Sequence, residues 1–259
     1  SRLWVGEDAT WKLKAAFGQA RATLVAQRGG TSAPGRLQGT GTLTLSRETP
    51  TLTLKASYLR GTLDLSRAAP LIALDTALAQ LASLPIPFLA SQATALRDAA
   101  PLTSRSRYFS LGAQYDDGQW LLAAELSHAR GRARQATTHR GYLSLGRRVN
   151  DWTLFVQAGA SVLPNPPLQV PDWQTGLTPL VGPLLAAQAQ GLAAAATATG
   201  NQARASQRSQ GFGLRWDVLP QTALKFQWDR VRVDAEGAAL WETDSTAALR
   251  ARIASVAVD

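Results

Sequence analysis

Residues Arg107–Val162 read RYFSLGAQYDDGQWLLAAELSHARGRARQATTHRGYLSLGRRVNDWTLFVQAGASV, and the reading of this stretch decides the fold. Tyr108-Phe109-Ser110-Leu111-Gly112 recurs as Tyr142-Leu143-Ser144-Leu145-Gly146, so one hairpin pattern is written twice. Successive side chains of a strand point to opposite faces. Phe109, Leu111, Ala113 and Tyr115 therefore share one face, opposite Tyr108, Ser110, Gly112 and Gln114. Asp116-Asp117-Gly118 turns the chain, Asp-Gly being a strong hairpin signal. Trp120, Leu122, Ala124 and Leu126 return on the apolar side, against Leu121, Ala123, Glu125 and Ser127. A basic loop follows, then Leu143 and Leu145 lead to a turn at Val149-Asn150-Asp151. Trp152, Leu154, Val156, Ala158, Ala160 and Val162 then make a wholly apolar face, and opposite them Phe155 interrupts the row Thr153, Gln157, Gly159 and Ser161.

The same pattern extends outward in both directions. Residues 1–10 read as the tail of a loop. Trp11–Gly18 alternates as a two-faced strand with Arg21–Gln27 as its partner, and Gly29-Gly30 with Pro34-Gly35 marks a loop. Thr40–Arg47 alternates, Glu48-Thr49-Pro50 turns, and Leu52, Leu54, Ala56 and Tyr58 return opposite Thr51, Thr53, Lys55 and Ser57. A third hairpin runs from Gly211 to Val233: Phe212, Leu214 and Trp216, a turn at Val218–Gln221, then Leu224, Phe226 and Trp228 against Lys225, Gln227 and Asp229. A polar loop over 234–248 precedes a last strand, Leu249–Asp259. Two insertions break the rhythm. In 66–105, Ile72, Leu74, Leu78, Leu81 and Ala82 have helical spacing, Pro85 and Pro87 end that helix, and Phe88–Ala99 forms a second. In 163–208, prolines open the insertion and an alanine-rich segment over Leu184–Ala198 follows, read as a loop with a short helix. The pattern predicts one all-β domain over 1–259, with about eleven strands and two helix-bearing insertions.

Composition bounds the chemistry. The 259 residues contain no cysteine, which excludes disulfides and thiolate metal sites. Lysine and arginine outnumber aspartate and glutamate 27 to 18, a balance that suits anionic partners. His128 and His139 flank the basic loop without the further ligands that zinc requires, so no cofactor is expected. Neither Gly39-Thr40-Gly41 nor Gly211-Phe212-Gly213 has the spacing of a phosphate loop; both fit crowded positions in a sheet. No Ser-His-Asp set is recognisable, and no enzyme is expected. Arg130, Arg132, Arg134 and Arg140 form a basic run lacking interleaved aromatics, which reads as a solvated loop or a contact with lipopolysaccharide phosphates rather than as a nucleic-acid site. The uncharged stretch Trp173–Ala203 carries Pro179, Pro183 and Gly191, which argue against a membrane-spanning helix.

Three features point to an antiparallel transmembrane β-barrel rather than a soluble sandwich. The face opposite the apolar one is Ser, Thr, Gly, Gln and scattered charge, which suits a lumen better than a lysine- and glutamate-rich water face. Connections alternate short and long, which places all short turns on one rim. Tyr115, Trp120, Trp152 and Trp216 sit beside short turns, as an interfacial girdle requires.

The hairpin style of Tyr108–Leu126 and the run Leu214–Asp229 resemble proteobacterial outer-membrane porins and porin-like proteins, over most of residues 11–259 outside the insertions. The resemblance implies a barrel in the outer membrane of a Gram-negative bacterium that passes small hydrophilic solutes by passive diffusion, among outer-membrane lipid and lipopolysaccharide. It implies a homotrimer as one assembly. Two departures stand out: this chain ends Ala257-Val258-Asp259 where such proteins usually end in an aromatic residue, and bacterial barrels have even strand numbers. Counting back from a last strand that ends at the short-turn rim starts Trp11–Gly18 at the long-loop rim. On that count the chain is a fragment, lacking about five N-terminal strands of a roughly sixteen-stranded barrel and a residue or two after Asp259. Lys12, Lys14, Lys55, Glu125, Arg215, Asp217, Lys225, Gln227 and Asp229 fall on the lumen face, with cations in excess. The expectation is a pore with weak anion preference, narrowed by one of the insertions. The competing readings are a plugged structural barrel and a soluble, basic β-rich module for polyanions.

Overall fold

A computed structural model describes residues 2–6, 8–24, 33–132, 137–202, 204–238, 240–241 and 246–258. Eleven strands form one sheet: β1 Arg2–Val5, β2 Thr10–Leu24, β3 Ala33–Glu48, β4 Leu52–Asp64, β5 Thr103–Asp116, β6 Trp120–Gly131, β7 Thr138–Val149, β8 Trp152–Val162, β9 Ala205–Leu219, β10 Thr222–Ala238 and β11 Leu249–Val258. Each strand pairs antiparallel with its neighbours in sequence. The sheet is open: among the described residues β1 and β11 are its two edges. Most strands are long, with β3 and β10 of 16 and 17 residues, against a usual length of about 5–6.

The hairpins close by local hydrogen bonding. In the β5–β6 turn, Gly118 takes φ 90°, and its N–H donates to Asp116 Oδ1 at 2.9 Å. Asp117 Oδ1 accepts from the N–H groups of Gln119 at 2.9 Å and Trp120 at 2.6 Å. The β7–β8 turn rests on Asn150 at φ 54°, a conformation asparagine tolerates. Short turns join β1–β2, β3–β4, β5–β6, β7–β8 and β9–β10, so they share one rim, and the longer connections share the other.

The strand number agrees with the sequence reading through two offsetting errors. Residues 1–10 are not a loop tail: Arg2–Val5 pairs with β2. Arg21–Leu24 is not a partner strand but the far end of β2, which pairs with β3 over its whole length, and residues 25–27 lie outside the described residues. Pro34 and Gly35 lie inside β3. Alternation is weak beyond Gly18 because register shifts there and at Gln38/Gly41, with Gly39 at φ 55°. The rim assigned to Trp11 is corrected too: Thr10 pairs with Glu48, so β2 begins at the short-turn rim.

The insertions carry four helices: α1 Ala69–Ala82, α2 Pro87–Ala99, α3 Trp173–Val181 and α4 Pro183–Asn201. Proline stands in the first turn of α1, α2 and α4, where its missing N–H costs nothing. Asp172 caps α3 by accepting from the Thr175 N–H at 3.0 Å. Hydrogen bonds from the Thr175 backbone N–H and then from its side-chain hydroxyl hold the Asp172 carboxyl below its ordinary range. The four helices pack into a single unit whose core includes Leu78, Leu89, Leu96, Trp173, Leu177 and the alanine face of α4. Buried Ala186, Ala189, Ala193 and Ala196 recur at helical spacing and let the neighbouring helices approach closely. No helix among the described residues is long and apolar enough to cross a membrane.

Candidate functional site

Directly paired residues share a face, so the registers decide which side chains meet. Lys12, Ser46, Lys55, Gly112, Glu125 and Tyr142 form one row across β2 to β7. Arg148, Thr153, Arg215 and Lys225 form another across β7 to β10, on the same side of the sheet. Lys14, Asp217, Gln227 and Asp229 lie on this side as well, so all nine predicted polar residues come to one face. Tyr108 lies on this face too, and its hydroxyl donates to Glu125 Oε1 at 3.1 Å.

The face is partly neutralised by contacts that single-strand reasoning does not find. Lys12 pairs with Glu48. Arg148 makes a bidentate pair with Asp116, at 2.6 and 3.0 Å, and Arg215 Nε donates to Asp217 at 2.8 Å. Asp229 accepts from Gln157 at 3.0 Å and from Gln227 at 2.7 Å. Lys225 Nζ lies 5.2 Å from the ring centroid of Phe155, a cation–π contact that gives this apolar ring a partner on the polar face. Lys14, Lys55 and Lys225 make no ion pair among the described residues. The missed partners, Glu48, Asp116 and Arg148, become visible only once adjacent strands are aligned.

Gly211 and Gly213 show how close the packing is. A Cβ at Gly211 would stand 2.0 Å from Asp229 Oδ1, and one at Gly213 2.2 Å from Phe155 Cζ. These glycines make the room in which Asp229 and Phe155 lie across the strand.

The opposite face is apolar and uncovered. Leu43, Leu45, Leu54, Phe109, Leu111, Leu143, Val156 and Phe212 are all exposed. Tyr115, Trp120, Trp152 and Trp216 line the short-turn rim on this side. Trp152 stacks on Trp216 with centroids 4.9 Å apart, and Arg147 lies 5.0 Å over Trp120.

His128 and His139 pair on the apolar side with ring centroids 4.6 Å apart. No group of three His, Asp or Glu residues that could hold a metal occurs among the described residues. Within the predicted basic run, Arg130 and Arg132 lie on the apolar side of β6 and just beyond it, and Arg134 is outside the described residues. Arg140 is not a loop residue: it belongs to β7, opposite Ser127 and Ser161 on the polar face.

The helical unit is held by uncharged amides. Trp173 Nε1 donates to Gln92 Oε1 at 2.7 Å, and Gln190 Oε1 accepts from the N–H groups of Trp173 and Gln174. Ala99, at the end of α2, meets Gly200, at the end of α4. These ends lead into β5 and β9, four strands apart, so the unit bridges the long-loop rim.

No family model and no curated protein matches this chain. Among solved structures it is similar to the outer membrane channel DcaP of Acinetobacter baumannii, with a TM-score of 0.43 and 7% identity over 89% of this chain and 54% of that one. It is also similar to the NanC porin, with a TM-score of 0.37 and 10% identity over 98% of this chain and 95% of that one. A third similarity is to the toluene transporter TodX of P. putida, with a TM-score of 0.33 and 10% identity over 90% of this chain and 66% of that one. The chain thus spans about half the length of the Acinetobacter channel.

Proposed function

We propose that this chain forms the wall of a β-barrel in the outer membrane of a Gram-negative bacterium, and that its polar face lines a water-filled channel for small hydrophilic solutes. One observation supports this above the rest. The sheet leaves large apolar side chains exposed along one whole face, while the apolar core of the chain lies chiefly in the helices. A soluble sheet buries its apolar face; one that stands in lipid does not need to. The short-turn rim with its tryptophans is the periplasmic boundary, and the helical unit stands at the outer mouth and narrows it.

The channel prefers anions weakly. Its pore-lining cations Lys14, Lys55 and Lys225 make no ion pair among the described residues, whereas Lys12 and Arg215 do. Charges that line a narrow pore set its selectivity. Planar-bilayer recordings test this. Stepwise conductance with a reversal potential on the anion side is the expected result, and Lys55→Glu with Lys225→Glu should move it to the cation side. A silent bilayer would favour a plugged structural barrel, and a monomer soluble without detergent would favour a basic binding module.

A further inference from the structure

We infer that the connection between β10 and β11 folds back over the polar face and builds a subsite there for a single sugar ring, with Trp241 as its stacking platform. The inference rests on the channel reading and names a class of solute for it. Val231 and Val233 lie on the polar face, opposite Ser209 and Gln207 of β9, yet both are buried. Ala251 and Leu249 stand beside them in β11. Trp241, from the connection, packs against this apolar patch, and its Nε1 donates to Gln207 Oε1 at 2.7 Å.

The inward fold is fixed locally. The β9–β10 register shifts between Val233 and Ala238, Glu236 takes φ 56°, and its N–H donates to the Thr246 carbonyl at 2.8 Å. The Trp241 N–H donates to the Ala238 carbonyl at 2.9 Å. Position 237 has no room for a side chain, since a Cβ there would stand 2.6 Å from the Ser206 carbonyl oxygen. The indole is thus held at its nitrogen and supported by aliphatic groups. It is half-buried and turns the rest of its surface to the lumen, a rigid aromatic face with its polar handle already satisfied.

The strand registers supply the rest of the site. The rung of Val231 runs through Ser209 and Gly159 to Tyr142, and that of Val233 through Gln207 and Ser161 to Arg140. From β7 to β10 is three strand spacings, about 14 Å. Gly159 keeps the floor between them low: a Cβ there would stand 3.2 Å from Ser209 Oγ. The result is a trough near the long-loop rim, with Trp241 on one side and Tyr142 and Arg140 on the other. Tyr142 is 45% exposed. Its hydroxyl and the exposed Arg140 guanidinium have no partner among the described residues. One rung below, the Asp229 carboxylate is oriented by Gln157 and Gln227, and Glu125, opposite Tyr142, accepts from Tyr108.

An aromatic face ringed by mixed donors and acceptors suits a pyranose, whose C–H face packs on the indole while its hydroxyls meet Arg140, Tyr142, Ser209 and Asp229. A hydrocarbon ring would leave those polar groups unpaired, which is costly. A simple anion would leave the indole face unused, and Asp229 offsets the charge of Arg140.

The test uses the whole chain, refolded in a detergent without a sugar head group and checked for heat-modifiable migration. Saturation-transfer NMR from the aromatic protons is the readout, and it needs no conductance. The probes are glucose, sorbitol, which carries hydroxyls on an open chain without a ring face, and benzoate, a flat ring without hydroxyls. Glucose should take up at least fivefold more saturation than either. Trp241→Ala should abolish that preference, Trp241→Phe should keep part of it, and Arg140→Gln should lower it at least twofold. If Trp241→Ala does not refold, Trp241→Phe and Arg140→Gln carry the same expectation. Equal transfer to glucose and sorbitol, preference for benzoate, or an unchanged preference in the variants would overturn the subsite. Those results in a protein that conducts leave the channel reading intact; a silent bilayer with the glucose preference present overturns the open channel and keeps the subsite.

Discussion

In the helical unit Leu89 and Trp173 are 1% and 0% exposed; in the sheet Leu111 and Leu143, equally apolar, are each 51% exposed. The two regions use the same residue types with opposite geometry. The helices turn their apolar faces toward one another and satisfy their buried amides with glutamine and asparagine. The strands turn theirs outward and keep polar groups on the other side, where they pair in register. One region carries its own core, and the other leaves its apolar face uncovered. The proposed membrane setting rests on that contrast more than on the strand count.

Substitutions in the two regions should behave as differently as their surroundings. The largest effect is expected for Trp173→Ala, which empties the centre of the helical unit and should cost about 3–5 kcal/mol. Limited proteolysis should show the insertions cut early while channel conductance and heat-modifiability persist. Collapse of the sheet in the same variant would break the contrast. Leu143→Arg, near the middle of the outer band, should cost about 2–4 kcal/mol, read as a lower denaturation midpoint in liposomes. An Arg that is tolerated there would show that this face meets water.

Smaller effects probe the polar face. Gly213→Ala drives a methyl into the Phe155 ring and the Phe226 carbonyl and should cost about 1–3 kcal/mol, measured by the same unfolding curves; a neutral result would show that both the ring and the strand backbone yield there. The smallest effect concerns the β5–β6 turn. Donation by the backbone N–H groups of Trp120 and then Gln119 holds the Asp117 carboxyl below its ordinary range. A depressed folded value means that this contribution is full above the unfolded pKa of about 3.9 and fades as pH falls through the lower folded value. Amide protection factors in the turn, taken relative to intrinsic exchange at each pH, should therefore fall only below about pH 4, and Asp117→Asn should flatten that dependence.

The Asp117 hairpin was legible because everything it needs lies within a few residues: Asp-Asp-Gly, the flanking alternation and the aromatic pair. Arg21–Gln27 was not, because a bulge beside Gly39 shifts the period that the reading depends on. Arg140 was read as part of a charged loop since its run of arginines continues across the point where β7 begins. Its side of the sheet follows only from pairing with Ser127 and Ser161. The insertions were each readable as helical, but their union was not. It rests on contacts such as Gln92 with Trp173 between segments joined through four strands.

By itself the sequence determined which residues of each strand share a face, because Cβ positions alternate along any extended chain whatever it packs against. It also determined where most of the tight turns fall and which stretches are helical, since those depend on neighbours a few positions away. Only the tertiary structure decided the registers. They set Lys12 beside Glu48, Arg148 beside Asp116 and three arginines abreast at two places on the apolar face. Such pairings depend on how one strand slides against the next, and a shift of a single residue would have sent every one of them to the other face.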